Sequence, residues 1–86
     1  MKRNRSTMQI IAAYLEIPVA SKCERMEHSE MPYRCGGKYH DLLLKQGCLE
    51  PLGPTPTYRT TKKGWLLVGI IEAMLSMLGW ESQGVT

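Results

Sequence analysis

The chain contains no phenylalanine, and aromatic residues of all kinds make up only 7% of it. Its apolar 43% rests instead on leucine, isoleucine and six methionines, a composition that suits packed helices better than a sheet sandwich. Charge of one sign is also sparse. A formal net charge of +3 over 86 residues is compatible with a polyanionic partner but falls short of the long basic tracts that leave no other reading. Cysteine occurs three times, at Cys23, Cys35 and Cys48. That odd number, together with a first segment MKRNRSTMQ that has no apolar core behind its basic residues, predicts reduced thiols and a cytoplasmic protein. No phosphate-binding glycine loop, paired nucleophile and base, or acidic metal cluster occurs, so neither an enzyme nor a cofactor is predicted. The length allows one domain, 1–86, which would bury roughly 60% of its unfolded surface. Repeats and low-complexity segments are absent.

What the sequence does contain is a series of well-punctuated helices. Met8, Ile10, Ile11, Tyr14 and Leu15 form a broad apolar stripe at helical spacing, predicting a first helix over 5–16. Asn4 or Ser6 can cap it, and Pro18 closes it by pushing the residue before it out of the helical region. Ser21 and Glu24 fit a capping box for a short second helix over 22–27. After a turn at 28–31, Pro32 suits a first helical position, and a third helix is expected over 32–46, ended by Gly47. Two short helices joined by a tight turn make a helix-turn-helix, whose second member is free to enter a groove. Short strand-like pieces at 48–50 and 57–60 then flank the proline-rich tip PLGPTP, which reads as the hairpin of a wing. Thr61 caps a last helix that reads over 62–78 and ends near Gly79. The fold class expected is therefore mostly α with a small β-hairpin wing, in the order α-α-α-β-β-α, with a basic arm at 1–4 and a tail at 80–86.

That last helix is apolar in nearly every direction, with only Gly69, Glu72 and Ser76 breaking the pattern. A helix apolar all round must be covered all round, and a domain this small can cover one side. A homodimer through a two-fold interface is thus expected, with Trp65, Val68, Ile71, Leu75 and Leu78 as its residues. A competing reading is a membrane anchor at 65–80, bracketed by Trp65 and Trp80. As a helix that run would cover about 24 Å, short of a hydrocarbon core of roughly 30 Å, with Glu72 at its middle.

The segments RSTMQIIAAYL, YHDLLLKQGCLE and YRTTKKG, the last leading into a long apolar helix, resemble the small archaeal winged helix-turn-helix DNA-binding proteins and regulators. Together they span about two thirds of the chain. The resemblance implies binding of double-stranded DNA, a role in transcription regulation, and dimerisation through the last helix. Gly36 and His40 depart from it, standing where the family usually places apolar core residues. Gly36 and Gly37 also place two poor helix formers in the reading helix.

If Tyr39, Leu43 and the neighbourhood of Gly36 face the core, Arg34, Gly37, Lys38 and Asp41 face outward. Arg34 and Lys38 are the candidates for base edges, Tyr33 for a phosphate or base, and Gly37 for close backbone approach. Arg59, Lys62 and Lys63 near the wing, with Arg3 and Arg5 in the arm, are candidates for phosphate contacts. The alternative is a winged-helix module for protein contact whose basic residues are a solvated face. The repeated spacing Cys23-x4-His28 and Cys35-x4-His40 suggests zinc, yet one pair straddles a helix end and the other lies inside a helix beside core leucines. No metal is expected, the thiols read as small buried groups, and His40 reads as a half-buried packing residue.

Overall fold

A computed structural model describes residues 6–79. The arm with Arg3, and also Arg5, Trp80 and the tail, lie outside the described residues. Helix α1 (Thr7–Leu15) starts at Ser6, whose hydroxyl accepts from the Gln9 N–H while the Gln9 side chain accepts from the Ser6 N–H. The reciprocal pair satisfies two N-terminal donors at once. Strand β1 (Val19–Ser21) follows Pro18, and Ser21 then serves as the cap of α2 (Lys22–Ser29) through the expected box with Glu24. Glu30 ends α2 in the left-handed region at φ 60°, a conformation that a residue other than glycine adopts at some cost. Helix α3 (Tyr33–Lys45) begins after Pro32, which stands just outside the helix as its cap instead of at the first helical position. Gly47, at φ 80°, completes the stop.

The wing consists of β2 (Leu49–Pro51) and β3 (Thr57–Thr60), and α4 (Lys62–Leu78) closes the fold. The sheet has three strands in the order β1-β3-β2, all neighbours antiparallel. The sequence predicted only the hairpin, and β1 is the addition. Three residues between a proline and a helix cap are too few to display a period of two. Pro51, read above as part of the tip, instead ends β2 opposite Tyr58. A proline is tolerated there because β2 is an edge strand. The architecture is that of a winged helix.

The core gathers Tyr14 and Leu15 from α1, Met26 from α2, Leu43 from α3, Cys48 and Leu49 at the wing, and Val68 from α4. A second cluster joins Ala12 of α1 to Ile71 and Leu75 of α4. Fully burying an aliphatic side chain of this size contributes about 1.5–3 kcal/mol, so this seam fixes α4 on α1. It also corrects the expected interface. Val68, Ile71 and Leu75 are spent inside the chain's own core, and the face left open carries Trp65, Leu66, Ile70, Met74, Met77 and Leu78. Gly64 lies where α4 crosses the wing, and a Cβ there would collide with the Cys48 carbonyl and stand 2.8 Å from Thr60 Cγ2. Among the described residues, no helix is long and apolar enough to cross a membrane. Helix α4 stops at Gly79, which is left-handed at φ 79°.

Candidate nucleic-acid interface

Helices α2 and α3, with the turn at 30–32, form the helix-turn-helix. Three residues seat α3 on the body. Gly36 is buried against the end of the Met26 side chain, which would have to shift to admit a Cβ. His40 and Leu43 follow on the same face at 3% and 4% exposure. This 36-40-43 spacing is a helical stripe, and it turns Arg34, Lys38 and Asp41 outward. All three are exposed, as is Tyr33 at the helix start, while Gly37 is half-buried.

Gly37 has a neighbour that the sequence did not reveal. A Cβ at this position would stand 3.7 Å from Lys22 Nζ, so the Lys22 side chain from the first turn of α2 reaches across to α3. Lys22 thereby joins Arg34 and Lys38 as a cation of this region. The signal was present in its position just after the Ser21 cap, where the first helix of such a motif approaches a nucleic-acid backbone. Asp41 places one opposing charge on the outward face of α3.

The remaining candidates are distributed differently. Arg59 and Glu50 are cross-strand partners on the wing, and their side chains form an ion pair. The guanidinium is therefore already engaged, although over half exposed. The wing tip is braced by the Leu52 N–H donating to the Thr57 carbonyl at 3.0 Å and the Thr55 hydroxyl donating to the Leu52 carbonyl at 2.9 Å. It carries no basic residue between Leu52 and Pro56. Lys62 and Lys63 are exposed in the first turn of α4. The helix dipole is positive there, so the two ammoniums add to that charge instead of offsetting it. The Thr61 hydroxyl ties this turn to the end of α3 by donating to the Gly47 carbonyl at 2.5 Å. The structure thus gathers Tyr33, Arg34, Gly37 and Lys38 on α3, places Lys62 and Lys63 near its far end, and leaves Arg59 paired on the wing.

Behind α3 lies a polar interior that sequence reading did not foresee. Arg25 has no exposed surface. Its guanidinium donates to the Tyr14 carbonyl at 2.7 Å, the Tyr58 carbonyl at 2.8 Å and the Thr60 hydroxyl at 3.2 Å. The Thr60 hydroxyl in turn lies 2.8 Å from the Leu15 carbonyl and 3.0 Å from that of Ile17. A buried cation without a carboxylate is costly. Here it is held by the end of α1, where free carbonyls and the negative end of the dipole replace the counter-ion. Arg25 so locks α1, α2 and β3 together. His40 is fully buried instead of half-buried, with Nδ1 2.6 Å from the Tyr14 hydroxyl. Burial holds its pKa below the usual 6.5, assisted by the positive charge of Lys22. Burial also pushes the Cys48 thiol and the Tyr14 hydroxyl up, so both are neutral near pH 7. All three cysteines are free thiols, and Cys23 is exposed, contrary to the buried default. Among the described residues, no group of three or more His, Cys, Asp or Glu side chains is placed to hold a metal ion.

No protein-family model matches the sequence, and no curated protein matches it significantly. Among solved structures, the crystal structure of Sso10a-2, a DNA-binding protein from Sulfolobus solfataricus, is similar with a TM-score of 0.75 and 26% sequence identity. The match covers 93% of this chain and 88% of that one.

Proposed function

We propose that this chain binds double-stranded DNA as a homodimer and regulates transcription by occupying promoters. The observation that carries the reading is the outward face of α3, where Arg34 and Lys38 project beside Lys22 from a helix seated by its opposite side. Such a helix fits the major groove, where arginine and lysine donate to guanine O6 and N7. Lys22, Lys62 and Lys63 would neutralise phosphates, and Arg59 would do so by exchanging Glu50 for the backbone. The similarity to a DNA-binding protein over nearly the whole chain supports the same assignment. Arg3 and Arg5 are proposed as further backbone contacts from the N-terminal arm. The role is one of binding and not of catalysis, inside the cytoplasm.

The second copy would cover the open face of α4. Leu66 is 62% exposed and Ile70 60%, and Glu72 is the one charged residue in the helix after Lys63. A surface of this kind complements itself across a two-fold axis. Two protomers joined in this way would offer two reading helices to successive major grooves. Titration of the full chain with a labelled duplex at low salt, together with light scattering of the free protein, tests both parts. Saturable binding and a dimer mass are expected. No binding at about 50 mM salt overturns the DNA assignment, and a monomer at micromolar concentration overturns the dimer.

A further inference from the structure

His40 is the titratable side chain among the three buried residues of α3, and it is 3% exposed. Tyr14 of α1 meets it at Nδ1, and the two rings stand edge to face at 5.9 Å between centroids and 76°. Tyr58 of β3 packs at 4.5 Å and 82°. The charged groups acting on it are Lys22 and Arg25 of α2 and Asp41 of α3. Two of these three are cations, and Asp41, the carboxylate among them, is exposed on the outer side of the helix. Its second ring nitrogen, Nε2, is buried with no hydrogen-bond partner among the described residues.

We propose that His40 is an acid-sensitive pin: while neutral it seats α3 against α1 and the wing, and on taking a proton from solvent it loosens that seat. With its proton on Nδ1, the neutral ring donates to the Tyr14 hydroxyl and leaves only an unused acceptor, not a donor, at the buried Nε2. The imidazolium is a single species with two N–H groups. One of them, at Nε2, then lacks an acceptor among the described residues, in a buried site that already feels the Arg25 guanidinium, and a buried unpaired donor of this kind is strongly disfavoured. The pKa of His40 is depressed in the folded chain, so its contribution to stability is complete above about 6.5 and is lost as pH falls below that value. The coupling to DNA rests on the function proposed above, because the helix that loosens is the one that would read the groove.

The full-length protein, without DNA, is melted at pH 7.5 and pH 5.0 beside the variants His40→Gln and His28→Gln. Wild type and His28→Gln are expected to melt about 4 °C or more lower at pH 5.0, and the drop is expected to be that much smaller in His40→Gln. An equal drop in all three overturns the pin. Should His40→Gln fail to fold at pH 7.5, an NMR titration of the wild-type His40 ring decides instead: a midpoint below 6.5 supports the proposal, and one at or above 6.5 overturns it. Duplex affinity, followed in parallel, is expected to weaken more between these pH values in wild type than in His40→Gln. Absence of duplex binding at pH 7.5 counts against the DNA reading alone, since the melting comparison still judges the pin.

Discussion

Along α3 the residues turned inward are a glycine, a histidine and a leucine, while Tyr33, Arg34, Lys38 and Asp41 turn outward. Along α4 the inward residues are Gly64, Val68, Ile71 and Leu75, and the outward ones are almost as apolar, with Leu66, Ile70 and Met77 each more than half exposed. The first helix is held by a few specific contacts: a glycine fitted to Met26, a hydrogen bond to Tyr14, and one leucine in the core. The second is held by a continuous apolar seam on α1. Helix α3 therefore presents a mostly polar surface to solvent, with Leu42 as its exposed aliphatic residue. Helix α4 carries apolar surface that its own fold does not use. An amphipathic pattern shows which face of a helix is inside, and a uniformly apolar one does not.

The inward seam of α4 is where the largest effect is expected. Ile71→Ala removes a side chain at 1% exposure and should cost about 2–5 kcal/mol in a denaturant melt. A cost under about 1 kcal/mol would mean that this seam is not what docks the helix. Gly64→Ala places a methyl group against the Cys48 backbone, which cannot move aside as a side chain could. A loss of about 1–3 kcal/mol in the same melt is expected, the range for overpacking. On the outward face the relation reverses. Ile70→Glu should change the stability of the monomer fold by no more than about 0.5 kcal/mol, yet raise the dimer dissociation constant by ~30-fold or more in sedimentation or light scattering. A variant that stays dimeric would place the partner elsewhere.

Much of the fold was legible because its boundaries are chemical. The Ser21–Glu24 box, Gly47, Thr61 and Gly79 all stand where the sequence placed them. Strand β1 was not legible, because its pairing with β3 comes from a segment 36 or more residues away and leaves no local period. The outward positions of Arg34, Lys38 and Asp41 followed from turning Leu43 and the neighbourhood of Gly36 inward, although His40 and not Tyr39 is the fully buried residue between them. Lys22 could be read from its place after the Ser21 cap as a first-turn cation, but its reach over Gly37 could not, because that depends on how α2 packs on α3. The expected interface residues Val68, Ile71 and Leu75 proved to be core residues for the reason given above: apolar content alone carries no direction. Arg25 was unreadable as a buried residue, since two of its three acceptors are backbone carbonyls of α1 and β3 that any sequence would supply.

In the function proposed above, the outward face of α3 contacts the phosphates and bases of a duplex. The most direct test is the slope of log affinity against log salt for wild type and for Lys38→Ala, both with unchanged melting temperature. The wild-type affinity is expected to fall steeply with salt, and Lys38→Ala to bind more weakly with a slope shallower by about 1. Identical affinity and slope in the two proteins, or a wild-type slope near zero, would contradict it.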